Sequence, residues 1–244
     1  MRNLITASIV ALAPMLILAA CSDDPTPGEV QDQEVTDLNK VDSNSEAVAK
    51  AKSIPAGDLT EFTLGGRIDE QTTAMANSAG SFADLRSFVA CPAGMDRCSP
   101  KTAPADTVYT YVMVVYPGGD NDDDSGIGSR NTASDIERAT AFRMTMPAHG
   151  FTGKAGYAKP EALAAIGPKA DVVVSCDAGK IVWTVSAGDG GDQWEQKEPL
   201  TFYWQSTLPP AGTAKAYAFH ADSTEAFGSG AYPAAAEGVA NACA

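Results

Sequence analysis

The sequence predicts a mainly β fold, an antiparallel sandwich-like or α+β single domain with long loops, over residues 58–244. Three observations predict it. Six runs of strand length are apolar on one or both alternating faces, turn residues punctuate them, and the same stretch carries four cysteines, Cys91, Cys98, Cys176 and Cys243.

The elements follow in order. Thr107 to Tyr116 (TVYTYVMVVY) is apolar or aromatic on both faces, as a strand covered on both sides should be, and Pro117-Gly118-Gly119 stops it. Ala139 to Met146 sets Phe142, Met144 and Met146 on one face against Arg143 and Thr145 on the other, which predicts a half-buried strand. Asp171 to Cys176 and Lys180 to Ala187 flank the turn signal Asp177-Ala178-Gly179, so they read as a hairpin with Ile181, Trp183 and Val185 facing inward. Leu200 to Gln205 and Ala214 to His220 complete the strands. Helix signals are weaker: Ser81 to Val89 offers a Ser cap and groups Phe82, Leu85, Phe88 and Val89, and Lys159 to Ile166 and Ala234 to Asn241 could each form two turns. Long loops are left at 65–106, 117–138 and 188–198. No fixed-period repeat is visible.

The N-terminus has a different character. Arg2 precedes an apolar stretch from Leu4 to Leu18, which ends in Leu18-Ala19-Ala20-Cys21. These residues resemble the lipobox of bacterial lipoproteins. The resemblance implies that residues 1–20 are a signal peptide and that Cys21 becomes the lipidated, palmitate-bearing first residue of the mature chain. A membrane-spanning helix needs about 20 apolar residues, whereas this run is shorter and holds Thr6, Ser8 and Pro14. An ordinary secretory site prefers a small residue where Leu18 stands. Ser22 after the lipid site resembles outer-membrane rather than inner-membrane sorting, although Asp23 and Asp24 follow it.

Residues 21–57 read as an acidic tether between lipid and domain. Eight carboxylates lie between Ser22 and Ser53 and no aromatic comes before Phe62, so little apolar area is present to offset ordering entropy. A coil of this length spans roughly 30 Å. Val35, Leu38, Val41 and Val48 allow a weak amphipathic helix. The whole chain carries 17 Lys+Arg against 31 Asp+Glu, a formal charge of −14. Such a charge excludes nucleic acid and anionic lipid surfaces as natural partners. The expected contacts are the membrane, through the lipid, and an envelope partner that the sequence does not identify.

With Cys21 lipidated, four cysteines remain in an exported chain, and an even count there predicts disulfides. Three pairings are possible. Cys91 with Cys98 and Cys176 with Cys243 are favoured, because the first pair is close in sequence and the second pins the chain end. No CxxC and only two histidines argue against a zinc site.

Candidate sites are few. Gly118 to Gly126 places Asp120, Asp122 and Asp124 at alternate positions, a start toward a Ca2+ loop; Ser125 and Asn131 stand where its closing Gly and Glu should be. A solvated connection is the favoured reading, with no cofactor. Ala187 to Glu195 approximates one nonapeptide of a calcium-binding β-roll, but a lone copy cannot stack. Trp183, Trp194 and Trp204 are expected in the core rather than stacked on sugars. No nucleophile elbow, phosphate loop or zinc-protease motif occurs, and no catalytic residue is assigned. The leading expectation is therefore a cell-envelope lipoprotein whose tethered, non-catalytic domain binds or scaffolds another envelope component. The alternatives are a Ca2+-dependent binding module, for instance for glycans, and a periplasmic hydrolase using His149 or His220.

Overall fold

The computed structural model describes residues 52–78, 80–118, 136–236 and 238–244. Cys21 and the aspartates at 120, 122 and 124 lie outside them. Twelve strands form one mixed sheet: β1 (Lys52–Ile54), β2 (Gly57–Asp58), β3 (Arg67–Asn77), β4 (Gly80–Ala90), β5 (Tyr109–Pro117), β6 (Ala139–Met144), β7 (Phe151–Tyr157), β8 (Asp171–Asp177), β9 (Lys180–Ser186), β10 (Leu200–Ser206), β11 (Pro210–Ala221) and β12 (Thr224–Pro233). The single α-helix among the described residues, α1, is Lys159–Ile166. It is too short to cross a membrane, as is every helix among the described residues.

The spatial order is β1-β8-β9-β6-β11-β12-β3-β4-β5-β10-β7-β2. Its two ends are consecutive strands joined only by Pro55 and Ala56, so the sheet must curl until its edges approach. All pairings are antiparallel except β2 with β7. That parallel pair needs glycine on both sides: a Cβ at Gly156 would lie 2.0 Å from the Gly57 carbonyl oxygen, and one at Gly57 would lie 2.1 Å from the Tyr203 hydroxyl. Curling brings the two halves face to face. Phe142 of β6 stacks on Phe202 of β10 at 5.2 Å and on Tyr217 of β11 at 5.6 Å, and Trp183 of β9 donates its indole N–H to the Gly156 carbonyl at 3.0 Å. The core is thus aromatic at its centre, a source of large buried area per residue.

The predicted hairpin is β8 and β9. Asp177 pairs with Lys180, and the two loop residues Ala178 and Gly179 both have positive φ, the geometry that matches strand twist in a two-residue turn. Ile181, Trp183 and Val185 are buried as expected. Both disulfides are those favoured, Cys91–Cys98 and Cys176–Cys243. The second ties the chain end to β8, and the Ala242 amide donates to the Phe151 carbonyl at 3.2 Å beside the seam.

Several expectations are corrected. Ser81 to Val89 is no helix but most of β4, and the long loop expected at 65–106 is largely the β3–β4 hairpin. The helical spacing was incidental: Leu85 and Val89 face the main core while Phe88 and Ala90 face a second cluster outside the sheet, so β4 is buried on both sides. Ala234 to Asn241 contains no helix among its described residues. β7 and β12 escaped notice because glycine interrupts their alternation. In β12 the glycines make room: a Cβ at Gly230 would lie 2.8 Å from the Tyr217 ring, and one at Gly228 2.7 Å from Met75 Cγ.

Candidate functional site

The outer face of the β4-β5-β10-β7 half carries two adjacent cross-strand rows of opposite character. In the first, Phe88 pairs with Val112, Val112 with Tyr203, and Tyr203 with Gly156. In the second, Ala90 pairs with Thr110 and Thr110 with Gln205. The first row is covered. Asp58 accepts hydrogen bonds from the Thr60 amide (3.0 Å) and hydroxyl (2.8 Å), which starts a 3-10 turn at Leu59–Glu61. That turn directs Leu59, Phe62 and Leu64 onto Phe88, Val112 and Tyr203, with Phe62 edge-on to Tyr203 at 5.2 Å. Burial, and then the charges of Asp58 and Glu61, push the Tyr203 phenol up to about 12. At Asp58 burial pushes the carboxyl upward, but the Thr60 and Lys159 interactions outweigh it and hold the group below its ordinary value.

The second row is the floor of a cleft of about 560 Å³. One wall is the strap Phe62–Leu64; the opposite wall is the loop closed by Cys91–Cys98, contributing Pro92, Ala93 and Met95. The walls are fastened to each other by main-chain bonds. Gly65 donates to the Cys91 carbonyl (2.8 Å), Gly66 donates to the Met95 carbonyl (2.8 Å), and Cys91 donates back to Gly66 (2.9 Å). This approach is possible only with glycine, since a Cβ at Gly66 would lie 1.9 Å from the Asp96 carbonyl oxygen and one at Gly65 2.3 Å from that of Pro92. Pro104, Asp106, Thr107 and Val108, leading into β5, form a third side, and Lys154 of β7 completes it.

The polar groups around the cleft are only partly satisfied internally. Gln205 donates its amide to the Thr110 hydroxyl at 3.2 Å. Thr107 is 5% exposed, yet its hydroxyl oxygen has no hydrogen-bond partner among the described residues. A buried hydroxyl left this way costs about 1–3 kcal/mol.

The residues singled out in the sequence are dispersed elsewhere. His220 shares a 2.7 Å hydrogen bond between Nδ1 and the Thr140 hydroxyl. Its neighbour Asp222 accepts from the Arg138 amide (2.8 Å) and the Glu137 amide (3.4 Å), which fixes a turn and occupies both carboxylate oxygens. His149 lies edge-on to Tyr232 at 6.0 Å, and its carbonyl accepts from Ser206. The two histidines are thus held in separate local networks. Trp183, Trp194 and Trp204 are all buried, so the sugar-stacking alternative loses the aromatics on which it rested. In the Ala187 to Glu195 loop, Lys169 donates its ammonium to the Asp189 carbonyl and Asp192 accepts from the Gln193 amide. No three His, Cys, Asp or Glu side chains gather into a metal-holding group among the described residues.

The cleft itself went unread in the sequence because its lining comes from five separated stretches. One signal was present: Gly65-Gly66 on one side and Pro92, Gly94, Pro100 and Pro104 around a short cystine loop on the other. No protein family, no curated protein and no solved structure matches the chain.

Proposed function

We propose that this protein is a lipid-anchored component of the bacterial cell envelope, attached through Cys21 to the outer membrane. In this reading its β domain is a non-catalytic module that binds or scaffolds another envelope component through the cleft between the Phe62–Leu64 strap and the Cys91–Cys98 loop. The observation that carries the binding role is the construction of that cleft. It is of ligand-site size, one wall is closed by the Cys91–Cys98 bridge and bonded through its main chain to the other, and its floor carries the polar pair Thr110 and Gln205. Support for the anchored, oxidising location comes from the lipobox-like Leu18-Ala19-Ala20-Cys21 and from the two disulfides.

Two experiments test this reading. Cys21→Ser should abolish acyl labelling and move the protein to the soluble fraction, because stable anchoring takes two or more acyl chains; unchanged membrane attachment would refute the anchor. A photo-reactive benzophenone side chain in place of Phe62, irradiated in intact cells, should give a discrete adduct that the same group in place of Leu163, exposed on α1, does not give. Absence of an adduct at Phe62, or the same adducts at both positions, would refute the cleft as the binding surface.

A further inference from the structure

We propose that the cleft binds a short peptide with an apolar side chain and both termini free, an inference that rests on the binding role just described. In a chain with a formal charge of −14, the cleft has two ionisable lining groups among the described residues, Lys154 and Asp106, one of each sign. A polyanion or a polycation would leave one of them opposed by a like charge, whereas a ligand with one carboxylate and one ammonium answers both.

The Thr110 oxygen accepts from Gln205, which leaves its own hydroxyl proton to donate. That hydroxyl donor with the remaining capacity of the Gln205 amide suits the carbonyl and N–H groups of a peptide bond. Phe62, Leu64, Pro92 and Met95 offer apolar contact on the two walls, which a side chain would fill and a sugar would not. A fatty acid would use those walls and Lys154 but would leave Asp106 without a counterpart. The volume, about 560 Å³, accommodates two or three residues.

The test uses the full mature chain purified in detergent and the tripeptide Ala-Leu-Ala as probe, with its N-acetylated and C-amidated forms, measured by calorimetric titration. The free-ended peptide should bind saturably, and each blocked form should bind about tenfold more weakly, as expected for loss of one charge-assisted contact. Lys154→Gln should weaken the free peptide by a similar factor and abolish discrimination against the amidated form; Asp106→Asn should do the same for the acetylated form. Both side chains are exposed, so these variants should fold as the parent does. Thr110→Val should weaken all three peptides alike. Lack of saturation, equal binding of all three forms, or insensitivity to both charge variants would each overturn the proposal. A Phe62 adduct in cells together with no peptide binding would remove this inference and leave the binding module standing; loss of both would remove the two together.

Discussion

The two disulfides make an instructive pair. Cys91–Cys98 spans 7 positions and Cys176–Cys243 spans 67, yet both are buried and both join Cα atoms a little over 5 Å apart. The long bridge fastens the last residues to β8, next to the seam where the curled sheet's edges approach, and neither of its cysteines lines the cleft. The short bridge removes less chain entropy, but the loop it closes is one wall of the cleft and is bonded to the strap that forms the other. Stability and site shape are therefore carried by different cross-links.

Breaking the long bridge should cost the domain most. In the chain-entropy account a loop of this size contributes about 4 kcal/mol, which in a domain of this size lowers Tm by about 10 °C. Cys176→Ala with Cys243→Ala should show that shift by calorimetry while leaving Phe62 photo-adducts unchanged at temperatures where the domain is folded. Breaking the short bridge should cost less, about 2–3 kcal/mol, but should eliminate the adduct. Next comes Gly66→Ala, whose Cβ cannot be placed without moving the Asp96 backbone. It should destabilise by about 1–3 kcal/mol, as overpacking does, and should weaken binding at the cleft although the substituted residue does not line it.

The smallest effect is alkaline. Tyr203 has its phenol pushed up to about 12 by burial, so above pH 10 the unfolded chain loses a proton that the folded chain keeps. Stability should then fall as pH rises from about 10 towards 12. Tyr111, Tyr217 and Tyr232 are shifted the same way, also by burial first. Tyr203→Phe should make the decline in Tm over that interval shallower; an unchanged slope would show that this phenol is ionised as easily folded as unfolded.

What was readable in the sequence follows from how local its cause is. The β8–β9 hairpin was legible because both strands alternate and Ala178-Gly179 supplies a two-residue turn. The limits of α1 were legible from Pro160 at its start and Gly167 at its end, the latter at φ +90. The disulfides were legible because short separation and a pinned terminus left one economical pairing. β4 was misread because burial on two sides erases the period of two, leaving Phe82, Leu85 and Phe88 at a helical spacing by accident. β3 was invisible for the opposite reason: Asp69, Glu70, Gln71, Thr72 and Thr73 give it almost no apolar face, and it is a strand because β4 and β12 supply its main-chain partners. The cleft depends on Thr110 and Gln205 meeting across β5 and β10, 95 positions apart, and no local pattern encodes that meeting.

If the short disulfide shapes the binding cleft and the long one does not, cross-linking from position 62 in intact cells will show it. With the photo-reactive side chain there, a discrete adduct should form in the parent and in the Cys176→Ala, Cys243→Ala protein, and should be lost in the Cys91→Ala, Cys98→Ala protein at equal folded amounts. An adduct that survives removal of the short bridge, or disappears on removal of the long one from protein that is still folded, would contradict it.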